Sequence, residues 1–219
     1  MAEKKPMKML CLHGYRQSGQ GFRTKTGAIR KVIKKRCEYV WVDAPHKIPE
    51  SEDLGWWFSQ GQTYDACAST KEDNGFGESL DSIAKVFSEQ GPFDGILSFS
   101  QGACFAAILC CLKESGDARF QNFKFAIIAA GYRSRTEQHQ QFFEDVKVSF
   151  PTLHSIGETD QVIAREMSDE LATYFAEEKT TIVRHPDGHI IPTKGEPKAA
   201  ILKFLDEQKI LDKLILTVE

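Results

Sequence analysis

The stretch Phe93-Asp94-Gly95-Ile96-Leu97-Ser98-Phe99-Ser100-Gln101-Gly102-Ala103 constrains the chain more than any other. An apolar strand, Gly95 to Phe99, runs straight into a serine, and a helix of small residues starts on the far side. A chain turns from strand to helix this abruptly when the serine takes a strained backbone conformation that lifts its hydroxyl above the sheet. Strand and helix then pass so close that the positions two before and two after the serine must be small. Here they are Ser98 and Gly102. Glycine is the usual residue at the first of these, so Ser98 is a departure, though only by a hydroxymethyl group. Ala103, Ala106 and Ala107 prolong the close approach. In isolation Ser100 would read as a helix cap; between this strand and this helix it reads as a nucleophile.

The rest of the chain alternates short β-rich runs with helical patterns. Met7 to Leu12 reads as a first strand, Phe22 to Arg36 as a helix, and Glu38 to Val42 as a second strand. Glu78 to Ser88 carries Leu80, Ile83, Ala84 and Phe87 on one helical stripe and stops at Gly91-Pro92. Gln101 to Lys113 is apolar almost all round, as a helix on a buried sheet must be. Phe125 to Ala129 and Thr152 to Ile156 are strands, Arg165 to Phe175 a helix, Thr181 to Arg184 a strand, and Pro197 to Glu207 a helix. The alternation implies right-handed crossovers and a mostly parallel sheet with helices on both faces. The central strands are continuous apolar runs, as burial of both faces requires. Residues 43–77 show no clear element and carry Trp56-Trp57-Phe58; a loop that long is usually functional or mobile, and it is too short for a large lid domain. Lys209 to Glu219 reads equally as strand, helix extension or tail.

With 219 residues, the chain is sized for a single α/β domain spanning 1–219, with 209–219 as a C-terminal extension. A net charge of −3 offers no electrostatic reason to expect nucleic acid as a partner. The basic clusters Lys4-Lys5 and Lys34-Lys35-Arg36 read as solvated surface. No apolar run approaches the ~20 residues of a membrane span, and the N-terminus lacks the core and cleavage site of a signal peptide. A cytoplasmic location is therefore expected. The cysteines Cys11, Cys37, Cys67, Cys104, Cys110 and Cys111 show neither CxxC nor zinc spacing, so neither a disulfide framework nor a metal is expected.

A serine hydroxyl needs an adjacent base to become nucleophilic. In the α/β-hydrolase fold the chain order is serine, acid, histidine, and this chain offers it. Asp160 lies in the turn after the fifth strand, just before a helix, with Val162 and Ile163 to anchor it. Glu158 competes, and a capping aspartate is the bland alternative. His189 follows Gly188 in the loop beyond the sixth strand. His185 competes but sits at the strand end before Pro186, and His154 falls inside a strand as a core histidine. An oxyanion hole needs two backbone N–H groups. Gln101, directly after the serine, is one expected donor, and Tyr15, in the loop Leu12-His13-Gly14-Tyr15-Arg16-Gln17-Ser18-Gly19, the other. That loop lacks the GxGxxG dinucleotide spacing.

These segments resemble the FSH family of serine hydrolases. The likeness runs in order through Leu10 to Ser18, Lys25 to Ala28, Gly55 to Phe58, Gly91 to Gly95, Phe99 to Ala103, Gly157 to Asp160, Gly188 to Pro192 and Lys203 to Asp206. The family's triad falls on Ser100, Asp160 and His189. Ser98 and the residues after Glu207 depart from the pattern. The resemblance implies cofactor-free hydrolysis of small-molecule carboxylic esters, with medium or long alkyl or acyl chains, through an acyl-enzyme. An acyl thioesterase is the alternative, and an inactive binding module a more distant one that the intact triad argues against. The resemblance also makes Trp56, Trp57 and Phe58 expected pocket-wall residues, although large aromatics serve cores equally well.

Overall fold

A parallel sheet organises the computed structural model, which describes residues 5–33 and 36–216. Its six strands are β1 (Met7–Leu12), β2 (Cys37–Val42), β5 (Gly95–Phe99), β6 (Phe125–Ala129), β7 (Thr152–Gly157) and β8 (Thr180–His185), in spatial order β2-β1-β5-β6-β7-β8. The two-residue strands β3 (His46–Lys47) and β4 (Leu54–Gly55) pair antiparallel within the long 43–77 loop. The helices are α1 (Gly19–Lys25), α2 (Gly27–Ile33), α3 (Phe76–Gln90), α4 (Gln101–Glu114), α5 (Arg165–Ala172) and α6 (Gly195–Leu216).

The sheet separates two cores. Leu10, Leu12, Ile96, Ala126 and Ile128 face α3, α4 and α5 through Ile83, Phe105, Ile108 and Leu171. Met9, Cys11, Leu97, Ile127 and Leu153 face α1, α2 and α6 through Phe22, Ile29, Phe204 and Leu205. β5 and β6 are buried at every position, which is why they read as unbroken apolar runs. The connections that follow β1 and β5 leave in opposite directions, from β1 to β2 on one side and from β5 to β6 on the other. The strand ends at this reversal open a crevice at the carboxyl edge of the sheet.

A close approach of backbone to backbone lies beside that crevice. A methyl group built on Gly102 would stand 2.3 Å from the His13 carbonyl oxygen and 2.5 Å from that of Leu12. Only a glycine lets the first turn of α4 lie against the end of β1. At Ser98 the departure from glycine is absorbed: its hydroxyl donates to the Ile127 carbonyl at 2.8 Å.

Several boundaries differ from the sequence expectation. The helix expected over Phe22–Arg36 is two helices. Ser18 caps the first, its Oγ accepting from the Gly21 N–H, and the Thr26 hydroxyl donates to the Phe22 carbonyl at 2.8 Å where it ends. α5 stops at Ala172 rather than Phe175, because Phe175 pairs with Val148 in a short parallel bridge. The last helix begins at Gly195 and continues to Leu216, so 209–216 is a helix extension. Lys4, Lys34, Lys35 and 217–219 lie outside the described residues. Among the described residues no helix is long and apolar enough to cross a membrane. All six cysteines are free, and only Cys67 is exposed; its Sγ lies 3.9 Å from Met167 Sδ.

His154, in β7, and His139, in a turn of 3-10 helix (Glu137–Phe142), are buried. Burial pushes each imidazole down to about 3, whereas an unfolded histidine titrates near ~6.5. Between these values the unfolded chain binds protons that the native chain refuses. Their stabilising contribution is complete above the unfolded pKa and is lost as pH falls toward the folded one, by about 1.4 kcal/mol per pH unit for each histidine.

Two outcomes follow. Gly102→Ala should destabilise the protein by about 3 kcal/mol, because backbone rather than a movable side chain blocks the methyl; an unchanged urea midpoint would show that α4 can slide. Native stability should fall between pH 7 and pH 5, and His154→Phe, whose ring would lie against Phe175 as the imidazole does, should lessen that slope by the share of one proton. Equal slopes in urea titrations of wild type and variant would mean that His154 is not held neutral.

Candidate active site

Ser100 sits at φ 54 and ψ −120, a conformation that side-chain-bearing residues rarely adopt. It is held there because its own N–H donates to the Ala129 carbonyl at 3.0 Å, while its carbonyl accepts from Ala103 and Cys104 at the start of α4. The hydroxyl is thereby turned out of the sheet toward the crevice.

His189 Nε2 lies 2.9 Å from Ser100 Oγ, and His189 Nδ1 lies 2.7 Å from Asp160 Oδ2. The other carboxylate oxygen of Asp160 accepts from the N–H groups of Val162 and Ile163, at 2.8 and 2.9 Å. Burial raises the Asp160 carboxyl. The His189 hydrogen bond and the two N–H donors outweigh that effect and hold it below the ordinary carboxylate range. The carboxylate is thus ionised, oriented and almost wholly withdrawn from water.

Gly157 lets this line close. A methyl there would stand 2.5 Å from the Gly188 carbonyl oxygen, so the loop carrying His189 crosses the end of β7 only over a glycine. The Glu158 N–H and the Thr159 hydroxyl then fasten that loop by donating to the carbonyls of His185 and Pro186, each at 2.9 Å. Of the competing residues, Glu158 is exposed, His185 is buried at the end of β8, and His154 packs against Phe175.

The loop after β1 meets the serine from the other side. A methyl on Gly14 would lie 3.2 Å from Ser100 Cβ. Buried His13 fixes this loop. The Ala44 N–H donates to its Nε2 at 3.0 Å, so Nδ1 carries the proton and donates to the Gly14 carbonyl at 2.8 Å. Burial lowers the His13 pKa, in keeping with that neutral tautomer. Leu54 accepts from the Arg16 N–H and donates to the Gln17 carbonyl, so β4 braces the loop. The N–H groups of Tyr15 and Gln101 have no backbone acceptor among the described residues, which leaves both available to a bound oxygen.

The 43–77 loop does wall the site, but through other residues than expected. Trp56 and Trp57 are fully buried and Phe58 nearly so. The Trp56 indole N–H donates to the His13 carbonyl at 2.8 Å, and Trp57 packs on Phe76 and Phe105. The Gln101 side chain pins the segment inward, accepting from the Trp56 N–H and donating to the Trp57 carbonyl, at 3.0 and 2.8 Å. These aromatics are core residues, a correction to the pocket-wall expectation. Trp57 and Phe58 act one layer behind, packing on Tyr64 and Tyr15 respectively.

The cavity that contains Ser100 and His189 measures about 290 Å³ and is lined by Tyr15, Tyr64, Tyr132, Val162 and Ile163, with Gln17, Asp65 and Ala66 completing it. The Tyr64 and Tyr132 hydroxyls hydrogen-bond to each other, and burial raises both phenols well above their ordinary value. Their polar ends are mutually satisfied, and both residues line the cavity. The sequence reading missed Tyr64 and Tyr132. The available signal was position: Tyr132 follows the end of β6, where ligands of open parallel sheets gather. Such an arrangement is suited to acyl transfer through a serine. Among the described residues no cluster of three or more His, Cys, Asp or Glu could hold a metal.

Comparison with known proteins places the chain. Esterase OVCA2 of Xenopus tropicalis is 40% identical over 222 residues, spanning 94% of this chain and 95% of its own length. Esterase OVCA2 of Homo sapiens is 38% identical over 227 residues, spanning 94% and 99%. Among solved structures, Zea mays acyl-protein thioesterase 2 superposes with a TM-score of 0.64 at 16% identity, covering 95% of this chain and 96% of its own. Esterase PE8 gives 0.65 at 19%, covering 92% of each. The architecture is that of the α/β-hydrolase fold, a mostly parallel sheet with helices on both faces. Residues 1–201 match the family described as Serine hydrolase (FSH1), and the chain belongs to that family of enzymes.

Proposed function

We propose that the protein hydrolyses carboxylic esters through an acyl-enzyme formed on Ser100. The observation that carries this reading is the unbroken line Ser100–His189–Asp160, at 2.9 and 2.7 Å. His189 Nε2 accepts the serine proton as Oγ attacks the ester carbonyl, and Asp160 stabilises the imidazolium. The Gln101 and Tyr15 N–H groups receive the developing oxyanion; Gln101 adds the positive end of α4. Collapse of the tetrahedral intermediate transfers the proton from His189 to the leaving alcohol. Water, deprotonated by the same nitrogen, then releases the acid. The names of the relatives as esterases support an oxygen ester as substrate.

The acyl chain lies in the tyrosine-walled cavity. Val162, at its mouth, is 54% exposed in the free protein, an apolar side chain whose surface a substrate chain would cover. Each methylene withdrawn from water contributes about 0.8 kcal/mol, so acyl chains beyond acetyl gain until the cavity is filled.

Ser100→Ala should lower kcat by about three orders of magnitude or more while leaving the fold intact, and a fluorophosphonate probe should label wild type at Ser100 and fail to label the variant. Near-normal turnover in the variant, or labelling elsewhere, would reject Ser100 as nucleophile. Along a p-nitrophenyl ester series, kcat/KM should rise from acetyl to medium-chain substrates, and Val162→Ser should flatten the rise more than it lowers acetyl hydrolysis. A series in which acetyl is best, with the same profile in the variant, would place the acyl chain elsewhere.

A further inference from the structure

His189 borders a second space. On the side away from the tyrosines lies a groove of about 400 Å³, walled by Phe22, Phe99, Ile190 and Ile191 and reaching Lys25. Ser100 lines the first cavity and not this one, whereas His189 lines both. The distinction carries chemical meaning if the esterase reading above holds. The acyl group stays bonded to Ser100, so its chain belongs in the cavity that contains Ser100. The departing oxygen must take its proton from His189 Nε2, so the alcohol leaves along the histidine.

We infer that the groove beside His189 is the leaving-group site, and that it selects esters of alcohols with an apolar chain ending in an anion. The Phe99 ring lies 4.7 Å from the imidazole, giving the groove an aromatic floor next to the reacting atoms. Ile190, directly after His189, is 45% exposed, so its apolar face gains a partner when a chain lies on it. Lys25, which also lines the groove, is exposed and takes part in no ion pair or side-chain hydrogen bond among the described residues. A carboxylate reaching it meets an uncommitted ammonium. In the step concerned, the Oγ–carbon bond has formed, the carbon–alkoxy bond breaks, and the proton taken from Ser100 passes from Nε2 to the alkoxy oxygen. The acyl-enzyme remains and a neutral hydroxyl leaves through the groove.

The test holds the acyl group constant and varies the alcohol: butyrate esters of ethanol, hexanol, ω-hydroxyhexanoate and its neutral primary amide. Because kcat/KM covers all steps through departure of the alcohol, it reads this groove. It should rise from ethyl to hexyl, and Ile190→Ser should reduce that rise. The carboxylate should exceed its amide-capped analogue by about threefold, the scale of an exposed ion pair. Lys25→Glu should invert that ratio. A flat alcohol series, or a carboxylate preference unchanged in Lys25→Glu, would overturn the assignment. Ser100 labelling and p-nitrophenyl acetate hydrolysis, run alongside, separate the two readings: if they hold while the alcohol series is flat, only the groove assignment fails, and if they fail, the esterase reading fails with it.

Discussion

Everything at the crevice depends on two chain segments touching where side chains would keep them apart. Gly102 lies against the carbonyls that end β1, and this contact fixes how far α4 stands from the loop that faces it. With α4 seated there, Ser100 has no relaxed conformation open to it, and its hydroxyl must point away from the sheet. The seat also holds Gln101, one residue earlier, beside the β1 loop that carries Tyr15, the other expected donor. A second glycine contact, Gly157 under the His189 loop, does the same for the other half of the line. The polar geometry is thus the result of close packing rather than its cause: the hydrogen bonds at 2.9 and 2.7 Å join groups that the backbone has already placed.

The elements nearest this contact were the most legible in the sequence. β1, β5 and β6 begin and end where their largely apolar runs do, because a strand buried on both faces takes a polar residue only where its polar atoms are satisfied, as at Ser98, and meets turn residues at its ends. Ser100, Asp160 and His189 were readable for another reason: each sits at the carboxyl end of a strand, and strand ends are countable along the chain. What pattern alone could not resolve was local hydrogen bonding that interrupts a periodic signal. Apolar spacing runs on past Thr26, yet its hydroxyl and Gly27 divide the helix. Spacing likewise carries α5 to Phe175, where pairing with Val148 takes over.

The 43–77 loop shows a deeper limit. A run such as Trp56-Trp57-Phe58 announces burial but not what it is buried against. The deciding partner is the Gln101 side chain, 45 residues away from Trp56 along the chain. No window of sequence joins them. Once the aromatics fill the core, the same loop is obliged to show its next residues, Tyr64 to Ala66, to the cavity. Wall and core were therefore both present in one segment, in an order that only tertiary contact decides.

The distribution of sulfur has a practical consequence. Burial raises the thiols of Cys11, Cys37, Cys104, Cys110 and Cys111, and electrophiles that require a thiolate meet little of it at these positions. Cys67 is exposed and follows Ala66, which lines the tyrosine-walled cavity. A maleimide fluorophore would accordingly be directed to the rim of that cavity without any engineering of the remaining cysteines. The native chain thus carries its own attachment point for an optical reporter of occupancy, one residue from the space it would observe.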